Sequence, residues 1–312
     1  MFLANHQNAL LDALLIATHC KRKPYFLTRS DVFKTALLKV FFGFLQMIPV
    51  YRIRDGKNSL AGNTAIFERC AQLLGRGEAV LIFPEGNHSL KRRVRPLSKG
   101  FTRILFLALE SNPSMDIGIV PIGVNYANAA KFPDKAALYY GNEIRVRDFF
   151  DKKDLSGSAS RLKEEVYHHL KKLTTHIEEE SSYEEIVHTL DRAKVDYLDP
   201  AGVNRIIEEG TSPENRKIGK GKVALVKYIL RGAFSILNFP MLIIWSRFIK
   251  PKVSEPEFLS TTRFMYALLF YPFFYLLFIA GMLEFLNWPA TSIICLAHLT
   301  LNIVLVKLSW ED

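Results

Sequence analysis

Cysteine is scarce in this 312-residue chain, which has only Cys20, Cys70 and Cys295. Their number is odd and their spacing follows no ligand pattern, so neither a disulfide framework nor a zinc site is expected, and a reducing compartment fits. Acidic residues are also short. Asp+Glu number 31 against 41 Lys+Arg, which gives a net charge of +10 and a pI near 9.4. Such an excess suits nucleic acid or an anionic membrane surface. No internal repeat is visible, which excludes solenoid and propeller architectures. The most telling shortage is local, because 264–283 and 285–306 contain no charged residue at all.

Each of those runs is close to the ~20 residues that cross ~30 Å of hydrocarbon as a helix. Glu284 alone separates them, and Asn287, Trp288 and Pro289 supply a turn, so residues 251–312 are expected to form a transmembrane helical hairpin with spans at about 264–283 and 286–306. Arg247, Lys250, Lys252 and Arg263 precede the first span, Lys307 closes the second, and the tip carries no basic residue. Positive residues favour the cytoplasmic side, so both open ends are expected there, at the cytoplasmic (inner) membrane. Together with an apolar share of 49% and 23 Phe, this selects an anionic membrane as partner and not nucleic acid. The stretch 232–246 is also uncharged but shorter and interrupted by Pro240, which suggests an interfacial or re-entrant helix within 223–250.

Upstream, the pattern changes. Short apolar strands near 1–4, 25–28, 48–51, 79–83, 117–124 and 137–140 alternate with helices at 9–18, 31–45, 58–74, 98–109 and 160–177. That alternation predicts an α/β domain over 1–177, with a mostly parallel central sheet and flanking helices. Because the chain opens directly on a strand, a further N-terminal segment is expected ahead of Met1. Residues 178–222 are polar and punctuated by Pro200, Gly202, Gly210, Pro213, Gly219 and Gly221, and are expected to be a charged linker of short surface helices.

Four blocks in the α/β region carry candidate chemistry. In Asn5-His6-Gln7-Asn8-Ala9-Leu10-Leu11-Asp12, a histidine precedes a helix and a carboxylate lies in its first turn. A histidine oriented by a carboxylate can take the proton of an attacking alcohol near neutral pH. Phe83-Pro84-Glu85-Gly86 follows an apolar strand, so Glu85 and Gly86 fall where open α/β sheets bind ligands. The basic tract Lys91, Arg92, Arg93, Arg95, Lys99 and Arg103 comes next and suits a phosphate. Between these two blocks, Arg52 and Arg54 follow Ile48-Pro49-Val50-Tyr51. Finally, Val120-Pro121-Ile122-Gly123 offers a backbone that a ligand can approach closely. For each block there is a plainer alternative: a helix cap, a Pro-Gly turn or a solvated basic face.

Taken in order, the blocks resemble those of the glycerolipid acyltransferase family, which includes glycerol-3-phosphate and 1-acylglycerol-3-phosphate O-acyltransferases. The resemblance covers roughly 1–150. It implies His6 as general base, Asp12 as its orienting partner, and Arg52 or Arg54 with Glu85 and Gly86 in acceptor binding. It also implies an acyl thioester donor (acyl-CoA or acyl-ACP, hence an acyl carrier protein as possible partner), a glycerophosphate or lysolipid acceptor, and no bound cofactor or metal. Two departures stand out. Five residues separate His6 from Asp12 where the family has four, and Asn87-His88 stands where it usually has Thr-Arg. Arg92, Arg93 or Arg95 is expected to replace the missing arginine. The alternatives are another lysolipid acceptor, or an inactive membrane scaffold of the same fold.

Overall fold

The structure is a computed structural model that describes residues 1–33, 36–51, 62–210 and 222–310. It divides into two compact units, Met1–Ala127 with Lys135–Glu214, and Asn128–Asp134 with Asn215–Asp312.

The first unit is built on one sheet. Its strands are β1 (Phe2–Ala4), β2 (Tyr25–Arg29), β3 (Met47–Val50), β4 (Val80–Ile82), β5 (Gly118–Tyr126), β6 (Ala136–Tyr140) and β7 (Ile144–Arg145). The order is β3-β2-β4-β1-β5-β6, with β7 also on β5. β1 to β5 run parallel to their neighbours, while β6 and β7 pair antiparallel with β5. A mostly parallel sheet therefore closes with an antiparallel edge. β1 lies between β4 and β5, with Leu3 opposite both Ile82 and Pro121.

The helices flanking the sheet are α1 (Ala9–His19), α2 (Ala36–Phe44), α3 (Asn63–Gly75), α4 (Gly100–Ser111) and α5 (Leu155–Leu173). In α4, Phe101, Ile104, Leu105, Ala108 and Leu109 are buried, the spacing of one apolar helical face. In α5, Leu162, Val166 and Leu170 do the same, and the Asp154 side chain caps the first turn by accepting from Gly157 N–H at 2.8 Å. These faces meet Leu3, Ile48, Val80, Ile82 and Ile119 of the sheet in one apolar core. The expected helix from Asp31 onward is in fact a 3-10 turn (Ser30–Val32) followed by α2, and the start of the helix expected at 58–74 lies outside the described residues.

The short helices expected beyond residue 178 are present as α6 (Tyr183–Ala193) and α7 (Pro200–Glu209). They do more than connect. Ile177, Tyr183, Leu190, Tyr197 and Val203 bury a second small core within the same unit. Each helix ends on a left-handed residue, Lys194 (φ 53°) and Gly210 (φ 60°), which turns the chain at that point.

Gly123 has a structural explanation. A Cβ there would lie 2.1 Å from the Leu173 carbonyl oxygen, so the glycine admits the end of α5 against β5. The close approach expected for a ligand is made by the protein's own helix.

The second unit contains α8 (Lys222–Leu237), α9 (Phe239–Ile244), α10 (Leu259–Leu283) and α11 (Trp288–Trp310). The helical stretches Pro256–Leu283 and Trp288–Trp310 are each long and apolar enough to cross a membrane. The segment Leu225–Leu237 plus Phe239–Lys252 passes that test only as a pair, bent by 86° at the break. A break in apolar surroundings frees backbone carbonyls, which must find donors within the protein. Asn238 Nδ2 donates to Phe234 O (2.9 Å), Tyr266 Oη to Met241 O (2.8 Å) and His298 Nε2 to Leu237 O (3.3 Å). Tyr275 Oη donates to His298 Nδ1 at 2.7 Å, and Asn302 meets Asn238 at 2.6 Å. Asn238, Tyr266, Tyr275, His298 and Asn302 of these apolar helices are thus gathered near the break.

Candidate active site

The strand order explains how two motifs far apart in sequence come to share one place. β1 and β4 are parallel neighbours, so the residues leaving their C-terminal ends emerge side by side. His6 follows β1, and Phe83 to Gly86 follow β4. The His6 ring stacks on Phe83 with centroids 4.0 Å apart and planes within 14°. His88 meets the His6 ring edge-on at 5.6 Å.

His6 Nδ1 lies 2.8 Å from Asp12 Oδ2. The Asp12 side chain is fully buried. Its Oδ2 also accepts from the Gln7 and Asn8 N–H groups, both at 2.8 Å, and its Oδ1 accepts from Tyr126 Oη at 2.6 Å. A carboxylate that accepts on every side leaves His6 Nδ1 the donor role, which puts the ring's lone pair on Nε2. The Asn5 side chain clamps Val124 on both backbone groups, donating to its carbonyl (3.0 Å) and accepting its N–H (2.7 Å). The motif is thereby fastened to β5.

The turn between His6 and Asp12 contains one left-handed residue. Alanine is an ordinary residue at a helix start, yet Ala9 has φ 44°, in the left-handed region that costs an L-residue roughly 1–2 kcal/mol. This one turn brings Asp12 back to the ring. Glycine pays no such steric cost, so Ala9→Gly should leave the thermal midpoint unlowered, with relief of strain offsetting glycine's entropy. The same change at Ala13, inside α1, should cost about 1 kcal/mol. Paired thermal melts check this, and equal losses at the two positions would contradict it.

Beside the dyad, the Glu85 side chain is 2% exposed and forms an ion pair with Arg95. Arg95 Nε donates to Glu85 Oε2 at 2.9 Å, and the other guanidinium nitrogens reach Asn87 and, at 3.4 Å, the His6 carbonyl. Glu85 Oε1 is buried without a hydrogen-bond partner among the described residues. Burial holds the Glu85 carboxyl above its usual range, although Arg95 acts in the opposite direction. Gly86 turns the chain with φ 77°, and its N–H donates to Phe83 O (3.1 Å), so that N–H serves the turn and not an oxyanion.

The other basic residues go elsewhere. Arg93 pairs with Glu180 at 3.1 Å, and Lys91 reaches the same carboxylate at 3.5 Å. The Arg92 guanidinium donates to the carbonyls of Tyr126 (3.0 Å) and Ala127 (2.8 Å). Of the arginines proposed to replace the missing one, Arg95 is the one joined to Glu85. Arg52 and Arg54 lie outside the described residues. Cys70 belongs to the core, where burial pushes its thiol up to about 12, and it stands apart from this chemistry. Among the described residues no cluster of His, Cys, Asp or Glu is arranged to hold a metal.

Tyr126 escaped the sequence reading, since a tyrosine ending an apolar strand looks like core. Only its position beside β1, one residue beyond the Asn125 that anchors α5, shows that its hydroxyl completes the aspartate's shell.

An imidazole held by a buried carboxylate, at the C-terminal edge of a mostly parallel sheet, is an arrangement able to accept a proton from a hydroxyl. Residues 1–125 match the Acyltransferase family model. Glycerol-3-phosphate O-acyltransferases 1 and 2 of Saccharomyces cerevisiae are 26% identical over 83 residues and 32% over 84 residues, each covering 27% of this chain. The match spans only 11% of either yeast protein. Among solved structures, the 1-acyl-sn-glycerophosphate acyltransferase PlsC from Thermotoga maritima is similar, with 17% identity and a TM-score of 0.38 over 57% of this chain and 67% of that one. The similarity to acyltransferases thus lies in the N-terminal part of the chain, residues 1–125.

Proposed function

We propose that this protein is a membrane-anchored O-acyltransferase that moves a fatty acyl group from an acyl thioester, of coenzyme A or acyl carrier protein, to glycerol 3-phosphate or its 1-acyl derivative. The observation that carries the reading is the His6–Asp12 dyad, held at 2.8 Å beside Glu85 and Gly86 in the family's domain. His6 Nε2 takes the hydroxyl proton as that oxygen attacks the thioester carbonyl. The tetrahedral intermediate collapses with loss of the thiolate, which leaves as the thiol after taking the proton back from the imidazolium. The acceptor phosphate is assigned to the basic residues nearest the dyad, with Arg95 foremost and Arg52 and Arg54 as further candidates.

The intact dyad speaks for an active enzyme over an inactive scaffold. Asn87-His88 favours a second reading of the acceptor, another lysolipid, because the acceptor's headgroup would meet a different side chain there. The two apolar helices support a hairpin anchor. In this reading both ends of the hairpin are cytoplasmic, and the catalytic domain works on that side of the inner membrane, against the anionic leaflet that holds acceptor and product.

Thiol release from an acyl thioester by the full chain in vesicles tests this. Release should require acceptor, with glycerol 3-phosphate, its 1-acyl derivative and other lysolipids compared in parallel. Thioester consumption that ignores every acceptor, or none at all, would reject acyl transfer.

A further inference from the structure

We infer that Arg92 is a positioning residue for the His6–Asp12 dyad, acting through Tyr126, and that the helical layer α5–α7 exists in part to hold it there. The inference rests on the acyl-transfer reading for its kinetic arm alone.

Arg92 is engaged through backbone and side chain alike. Its N–H donates to Tyr183 Oη at 2.7 Å, and its carbonyl accepts from Ile177 N–H at 2.9 Å. Two residues on, Val94 N–H donates to His176 Nδ1 at 3.0 Å. These partners come from the segment between α5 and α6 and the start of α6, beyond the residues that match the family model. The guanidinium carbon then lies 3.3 Å from the centroid of the Tyr197 ring, and Tyr197 is itself fixed by donating to Asp191 Oδ1 at 2.8 Å. A cation packed on a buried aromatic face is held in one plane.

From that plane the guanidinium fork spans two successive carbonyls where β5 ends, those of Tyr126 and, just beyond the strand, Ala127. Together with the Asn5 clamp on Val124 and the bond from Asn125 Nδ2 to Leu173 O (2.9 Å), it fixes four consecutive residues at the end of β5. The Tyr126 side chain leaves this pinned backbone and donates its hydroxyl to Asp12 Oδ1. The path from α6 and α7 to the base is therefore continuous: Tyr197 and Tyr183 to Arg92, Arg92 to the Tyr126 backbone, the Tyr126 hydroxyl to Asp12, and Asp12 to His6. Each link is a contact of ordinary length, and a rigid support of this kind is what a carboxylate–imidazole pair needs to keep its geometry.

The role differs from phosphate binding in what it predicts. A binding residue governs the acceptor's Michaelis constant, whereas a positioning residue governs turnover. Arg92→Ala should lower kcat by about tenfold or more while the acceptor KM changes less than about twofold. Arg92→Lys should not rescue it, because an ammonium is a point charge and cannot bridge two carbonyls as a planar fork does. Tyr126→Phe should fall in the same range. Because both act on one path, the double variant should be no worse than the poorer single one, giving a coupling energy instead of a sum.

A readout without catalysis separates this proposal from the reaction itself. Hydrogen exchange of the Gln7 and Asn8 amides, both bound to Asp12, should quicken in Arg92→Ala and in Tyr126→Phe, while core amides of α4 keep their protection. Should Arg92→Ala fail to fold, Arg92→Lys and Tyr197→Leu carry the same test. An acceptor KM that rises with kcat intact, additive losses in the double variant, or unchanged exchange at Gln7 and Asn8 would each overturn the proposal. Absence of acyl transfer in the unaltered protein would instead count against the proposed function, and the exchange experiment would still decide the positioning role.

Discussion

His6→Ala is expected to lower turnover by roughly 100-fold or more without unfolding the protein. The ring is stacked on Phe83 at the sheet's edge and half-buried, outside the main apolar core, so its loss removes chemistry more than packing. Asp12→Asn should also be damaging. The asparagine side chain has about the same shape, but its NH2 would face one of the donors that now surround the carboxylate. It cannot accept from the Gln7 and Asn8 N–H groups, His6 and Tyr126 all at once. Steady-state thiol release by the two variants, with circular dichroism to verify folding, is the measurement. Near-normal turnover in a folded His6→Ala protein would remove the base from the mechanism. A silent Asp12→Asn would show that orientation of the ring depends on Phe83 and His88 alone.

Much of the scaffold for this chemistry was legible in the sequence, for physical reasons. Strand and helix alternate because buried parallel strands are short apolar runs and the helices that cover them show a 3.6-residue period. Both signals are local. The uncharged runs at the C-terminus are legible for the same reason. The adjacency of β1 and β4 is not local. Nothing in 1–12 or 80–86 says that these strands are neighbours, so the meeting of His6 with Phe83 could be suggested only by the order of the blocks. The left-handed Ala9 was illegible as well, because alanine carries no sign of a positive φ, and the extra residue therefore looked like a threat to the dyad.

The basic tract shows a different limit. Lys91, Arg92, Arg93 and Arg95 look equivalent in sequence, a row of cations beside a site. The fold gives them different partners: Glu180 for Lys91 and Arg93, carbonyls for Arg92, and Glu85 for Arg95. Partners for three of these four come from chain more than thirty residues away, so charge counting could reveal the tract but not the division of work within it. Likewise α7 was legible as a short helix by its Pro200 start and Gly210 stop, while the core that α6 and α7 share with Tyr197 was not.

The second large effect concerns Glu85 and Arg95, and it is one of stability. The Glu85 side chain is 2% exposed and Arg95 21%, so this pair is removed from most of the solvent that screens surface ion pairs. Taking away one partner of a buried pair leaves an uncompensated charge, at a cost of about 3 kcal/mol. Arg95→Ala should therefore destabilise the first unit by that order at neutral pH. The sign with pH follows from the direction of the shift. Burial already raises the Glu85 carboxyl above its ordinary 4.5, against the pull of Arg95. Without the guanidinium it must rise further. A group with a raised folded-state value contributes its stability below the unfolded value and loses it as pH rises through the folded one. The deficit of Arg95→Ala relative to the unaltered protein should thus be widest at neutral pH and above, and narrow on acidification toward 4.5, as Glu85 takes up a proton. Adding Glu85→Gln should restore most of the loss at neutral pH, since an amide needs no counter-ion. Denaturant titrations of the two variants across this range give the answer. A deficit that is flat with pH, or a double variant no more stable than Arg95→Ala, would mean that Arg95 holds the loop through Asn87 and the His6 carbonyl and that its charge on Glu85 contributes little.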